Sequence, residues 1–163
     1  MDNHSVSADV VSAKRFQLLD DDGEMRALLK TSHSQPIMQF MDDHHKVKLD
    51  IRVKNNWPVM QMHDSEGHVR VEFGLVNDKP TLFFNDQHGV LMMGLALSKA
   101  ESTPRLVFLD EHRNVRFGVV LDQDGSPRVV AADHEGRQHR LMWFTEPAKE
   151  AIEPKRSSPG KSS

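Results

Sequence analysis

The chain has 163 residues, 37% of them hydrophobic and 28% charged, with a formal net charge of -3 and neither Cys nor Tyr. That length suits one domain, and the near-neutral charge lacks the clustered cations that nucleic acid demands. Without Cys there is no disulfide framework, Cys-based zinc site, Fe–S cluster or thiol nucleophile, and no apolar run is long enough for a membrane-spanning helix.

Residues 1–13 are small and polar and read as a disordered tail. They lack a basic stretch followed by an apolar run, so no signal peptide is expected; a cytoplasmic location follows, with export by a non-Sec route left open. From 14 to 144 a repeat governs the sequence. D-x-x-G-x-x-R occurs at Asp20, Gly23 and Arg26 and again at Asp64, Gly67 and Arg70. Degenerate copies follow the same offsets. They stand at Asp42, His45 and Lys48, at Asp86, Gly89 and Met92, at Asp110, Arg113 and Arg116, and at Asp133, Gly136 and His139. The six aspartates are spaced by 22, 22, 22, 24 and 23 residues, and Pro36, Pro58, Pro80, Pro104 and Pro127 each stand six residues before the last five.

Apolar residues alternate on both sides of each aspartate, as in Phe16 and Leu18 before Asp20 and Met25, Ala27 and Leu29 after it. This is the two-residue period of a half-buried strand. Asp opening and Gly closing a four-residue turn predicts a β-hairpin per unit, with Leu18 facing Met25, Phe40 facing Val47, Met62 facing Val69 and Phe84 facing Leu91. The repeat-turn positions are thus Asp20, Gly23, Asp42, Asp64, Gly67, Asp86, Gly89, Asp110, Asp133 and Gly136. Asn55-Asn56, Asn77-Asp78 and Asp124-Gly125 supply turns between hairpins, and a proline can open the strand that follows. The fold class expected is all-β: six tandem antiparallel hairpins, about twelve strands, in a solenoid-like or spiral stack. Residues 145–163, rich in Pro, Ser and charge, read as a second disordered tail.

The same register predicts a polar face suited to water, with Gln17, Gln39 and Gln61 opposite Arg26, Lys48 and Arg70. In units four and five that face turns apolar, through Phe83, Val90, Met92, Val107 and Leu109. A sheet apolar on both faces needs cover on both, so these five residues are expected to form a self-association face. A homo-oligomer follows, with a trimer among the arrangements that would supply the cover.

The candidate chemistry is sparse. His44, His45, His68, His88, His112 and His134 stand at or beside the predicted turns, where rows of imidazoles suit Zn, Cu or Ni but where solvated turn residues need no ligand. The acidic turns Asp20–Gly23 and Asp122–Gly125 lack the twelve-residue ligand spacing of an EF-hand. No nucleophile elbow or phosphate-binding glycine loop is visible. The repeated aspartates are explained by turn geometry, so no catalytic residue, cofactor or metal is expected. Trp57 precedes Pro58 where a ring could stack on a sugar, Trp143 lies in the last strand, and Lys155, Arg156 and Lys161 make the C-terminal tail weakly basic.

The motif P-x-h-x-h-x-D-x-x-G-x-x-R-x-x-h resembles the tandem D-x-x-G-x-x-R β-hairpin repeats of bacterial proteins. Its best copies are Pro58–Arg70 and Phe16–Arg26, and it is loosely similar to YD-type and MORN-type repeats. The resemblance implies a repetitive β scaffold and transfers no catalytic residue. The function expected is a non-catalytic, self-associating β-repeat scaffold or assembly component. The alternative is a carbohydrate-binding, propeller-like module.

Overall fold

The structure, a computed structural model, describes residues 8–97 and 103–143. The expected C-terminal tail, residues 145–163, lies outside the described residues, as do 1–7 of the N-terminal one. Among the described residues there is no helix. Twelve strands follow in chain order: β1 (Arg15–Leu19), β2 (Met25–Ser32), β3 (Gln35–Met41), β4 (Val47–Lys54), β5 (Trp57–His63), β6 (Val69–Val76), β7 (Lys79–Asn85), β8 (Leu91–Leu97), β9 (Pro104–Leu109), β10 (Val115–Leu121), β11 (Pro127–Ala132) and β12 (Gln138–Trp143). Each pairs antiparallel with the next in one sheet of order β1 to β12. The sheet is open, with β1 and β12 at its edges, and its ladder is not divided into four-stranded blades.

Two kinds of corner generate this meander. At the D-x-x-G edge, Gly23 N–H donates to the Asp20 carbonyl at 3.0 Å and Asp20 N–H to the Glu24 carbonyl at 2.9 Å. That is a type I turn followed by a left-handed residue, Gly23 at φ 84°. Gly67 at φ 89°, Gly89 at φ 77° and Gly136 at φ 81° take the same seat in the third, fourth and sixth copies. A Cβ at Gly89 or Gly136 would meet nothing within 4 Å, so the backbone angle, and not a lack of room, selects glycine there. His45 at φ 60° and Arg113 at φ 66° occupy the glycine's seat in the second and fifth copies. A side chain costs about 1 kcal/mol there. Arg113→Gly is therefore expected to stabilise the fold by roughly that much, read as a raised urea midpoint at fixed chain concentration; an unchanged or lowered midpoint would refute it. At the opposite edge His33-Ser34, Asn55-Asn56 and Asn77-Asp78 all have positive φ, the two-residue type I′ turn that matches strand twist.

The registers differ from those predicted by two residues. Leu18 faces Ala27, Phe40 faces Leu49, Met62 faces Val71 and Phe84 faces Met93. The left-handed residue absorbs one position, and a bulge just beyond the turn, as between Leu18 and Leu19, absorbs another. An even shift leaves the side chains beyond the bulge on their predicted faces but changes every partner. Between bulge and turn the face switches: Met25, expected on the apolar side, lies on the polar one, where its sulfur accepts from Gln17 Nε2 at 2.9 Å. The expected Gln–cation pairs accordingly do not form. Gln17 faces Leu28, Gln39 faces Asp50, and Gln61 faces Glu72.

Because every hairpin turns on the same D-x-x-G corner, side chains line up in rows across the sheet. Phe16, Leu29, Met38, Ile51, Met60, Phe73, Leu82, Leu95, Leu106, Val119 and Val129 form one row across β1 to β11. Beside it run Leu18, Ala27, Phe40, Leu49, Met62, Val71, Phe84, Met93, Phe108, Phe117 and Ala131. One face is thus uninterruptedly apolar.

The burial of the faces reverses the expectation. The alternating apolar face was expected inward, yet Leu18 is 63% exposed, Phe40 40%, Met62 47%, Phe73 56% and Leu95 47%. The polar face was expected in water, yet the most buried residues stand on it: Leu28, Asp50, Val59, Gln61 and Thr81. Among the described residues no second sheet or helix covers the apolar side of this single layer.

Candidate functional site

Three features carry chemistry: the row of acidic turns, the polar cluster around Asp50, and the apolar face.

At the turn edge each aspartate has two tasks, one per oxygen. Oδ1 of Asp20 accepts the backbone N–H of Asp22 and of Glu24, and the same pair of bonds recurs at Asp42, Asp64, Asp86, Asp110 and Asp133. Their glycine partners close the same corners: Gly67 N–H donates to the Asp64 carbonyl at 3.2 Å, Gly89 to Asp86 at 3.2 Å and Gly136 to Asp133 at 3.0 Å. All ten residues expected at repeat turns therefore stand in turns, as structural positions.

Oδ2 faces the residue six positions on. Arg26 approaches Asp20 at 2.6 Å, Arg116 approaches Asp110 at 2.6 Å, and Lys48, Arg70 and His139 lie 3.5 to 3.9 Å from their aspartates. In the fourth copy Met92 takes the cation's place. The arginine's other arm straps one hairpin to the next: Arg26 Nη1 donates to the Asp42 carbonyl at 2.8 Å, Arg70 Nε to the Asn85 carbonyl at 3.0 Å, and Arg116 to the Asp133 carbonyl. This explains the motif's spacing. Asp shapes its own turn, Gly takes the left-handed seat, and Arg ties that turn to its neighbour.

A third full copy, Asp122, Gly125 and Arg128, sits at the β10–β11 corner on the opposite edge, with Arg128 Nη2 2.8 Å from Asp122. It lies out of step with the 22-residue spacing, and only its D-x-x-G-x-x-R lettering could have revealed it. Both acidic turns weighed as calcium loops are hairpin corners.

The six repeat aspartates, Asp20, Asp42, Asp64, Asp86, Asp110 and Asp133, titrate low. The Glu24 N–H holds Asp20 below its ordinary value, aided by Arg26 and opposed by partial desolvation. At Asp110 desolvation pushes upward but is outweighed by the Asn114 backbone and side chain and by Arg116, leaving about 2. A carboxyl whose folded pKa is depressed contributes its stability above the unfolded value and loses it as pH falls through the folded one. The melting temperature is expected to hold down to about pH 4 and to fall steadily toward pH 2. Asp110→Asn is expected to melt below wild type at pH 7, with the gap closing near pH 2; a gap independent of pH would overturn the assignment.

On the polar face, Asp50 is fully buried. Arg52 reaches it with Nε at 2.6 Å and with Nη2, and His63 Nε2 stands 3.2 Å from Oδ2. His63 Nδ1 lies 3.2 Å from the Gly67 carbonyl, and Gln61 donates to Glu72 alongside. Sequence reasoning missed this cluster because Asp50 and Arg52 occupy ordinary alternating polar positions. The available signal was an aspartate in mid-strand, where that residue is disfavoured.

The five residues expected to self-associate, Phe83, Val90, Met92, Val107 and Leu109, are all half-buried. Phe83 and Val107 lie in the Asp50 row, each facing a glycine across the ladder. A Cβ on Gly94 would meet the Phe83 ring at 3.3 Å, so the missing side chains of Gly94 and Gly118 make room for Phe83 and Val107. Most of the large exposed apolar side chains stand on the opposite face.

His44, His112 and His134 are solvated at the turn tips, 79%, 76% and 85% exposed. Among the described residues no three His, Asp or Glu side chains group as a metal site. Trp57 is half-buried at the start of β5, and the side chain of Trp143 lies outside the described residues. Among the described residues no helix is long and apolar enough to cross a membrane. No protein-family model matches the chain, and no curated protein matches it in sequence.

Proposed function

We propose that the chain is a non-catalytic, self-associating β-repeat scaffold, an assembly component whose folded form is a homo-oligomer. One observation carries this reading: among the described residues, Leu28 and Val59 are the only buried apolar side chains. Full burial of a Leu, Ile, Met or Phe side chain is worth about 1.5–3 kcal/mol. A dozen of them left partly exposed forgo on the order of 10 kcal/mol, comparable with the whole net stability of a domain. A second layer from another copy supplies the cover that the described residues lack. The resemblance to bacterial hairpin repeats agrees with a scaffold, since each side chain of the motif is occupied in holding turns together.

The test is multi-angle light scattering of the full chain. A mass that is a multiple of 18.6 kDa is expected across the accessible concentrations, and a single-chain mass throughout would refute the proposal.

A further inference from the structure

We infer that the surface joining the copies is the apolar face bearing Phe40, Met62, Phe73 and Leu95, and that its occupant is the same face of a second copy, packed as a two-layer sandwich. This rests on the self-association proposed above and assigns it to one face.

Size supports it. Twelve strands about 4.8 Å apart make the face about 50 Å long, and three rows two residues apart make it about 20 Å wide. The third row is formed by the prolines and their partners, such as Val53 opposite Pro58, Leu75 opposite Pro80 and Leu97 opposite Pro104. Two such faces meeting would bury about 2,000 Å², and even half that coverage reaches the roughly 1,000 Å² that a specific interface needs.

Shape supports it as well. Phe40 and Phe84 stand above the smaller Ala27, Leu49 and Val71 on the strands beside them, so the face is ridged. Two apolar notches, of ≈ 260 and ≈ 320 Å³, share the Phe73 and Pro80 walls and lie one hairpin apart. A second copy would seat such side chains in these notches at the usual spacing of about 10 Å between packed sheets. The face thus offers a second copy both ridges and notches. Charge gives a lipid surface no corresponding advantage, since a net charge of -3 offers anionic headgroups no attraction.

The chain has no cysteine, so single cysteines report proximity cleanly. Leu95→Cys, on the apolar face, is expected to cross-link between copies through a short bis-maleimide, whereas Val107→Cys on the other face is not. Phe73→Lys is expected to lower the light-scattering mass to one chain at concentrations where the wild type is oligomeric, while Phe83→Ser leaves the mass unchanged. An oligomer that resists Phe73→Lys and leaves Leu95→Cys uncross-linked would overturn this inference and leave self-association standing. A single-chain mass for the wild type would refute both. A monomer that instead co-sediments with phosphatidylcholine vesicles would reassign the face to lipid. Should Phe73→Lys fail to fold by circular dichroism, the contrast between the two cysteines decides.

Discussion

Asp50→Ala is expected to destabilise the folded chain by about 3 kcal/mol, the lower end of the cost of removing one partner from a buried ion pair. Asp50 is 0% exposed, and its loss leaves both the Arg52 fork and His63 without the carboxylate they face. Arg52 remains 30% exposed and can turn partly to water, which keeps the loss from the top of the range. Asp50→Asn keeps the shape and one acceptor oxygen and is expected to cost about half as much. Urea unfolding at fixed chain concentration measures both. A double-mutant cycle with Arg52→Ala should return a coupling of at least about 1 kcal/mol. A loss below about 0.5 kcal/mol for Asp50→Ala, the scale of an ordinary surface substitution, would show that the carboxylate is not buried in the folded protein.

Gly74→Ala is expected to cost about 3 kcal/mol, at the upper end of overpacking effects. A Cβ there would press on the Pro58 carbonyl oxygen, well inside van der Waals distance, and stand 3.0 Å from the Val59 Cα. Both neighbours are backbone of the adjacent strand, so relief requires β5 and β6 to move apart. Gly94→Ala is the informative control. Its nearest neighbour is the Phe83 ring at 3.3 Å, a side chain that can swing by a few tenths of an ångström. That substitution is expected to change stability by less than about 1 kcal/mol, since the strand entropy gained from Ala offsets the crowding. Equal losses at the two positions, from urea midpoints and slopes, would contradict the strand contacts.

The hairpin count and strand positions were legible because they depend on local chemistry. Asp and Gly at fixed offsets, as in Asp86 with Gly89 and Asp133 with Gly136, make a turn in any context. Asn55-Asn56 and Asn77-Asp78 likewise tolerate the left-handed conformations that a two-residue turn requires. The partner of each residue was not legible. Leu18 meets Ala27 instead of Met25 because a bulge adds a residue after the turn, and no residue type announces it. The Asp50 cluster stayed hidden for a related reason. Alternation shows that Asp50, Arg52 and Gln61 share a face, but not that His63 arrives from the next strand to close over the carboxylate.

Taken alone, the sequence determined an all-β chain of six hairpins with one face apolar from end to end, since a period of two and recurring turns are properties of neighbouring residues. The tertiary structure decided which face is covered. Side-chain polarity predicts an inward apolar face only when the chain supplies a second layer, and here all twelve strands are committed to one sheet. The polar side chains interlock and bury one another, while Phe40, Met62 and Phe73 are left open, because alternation specifies two faces and only packing says what lies against each.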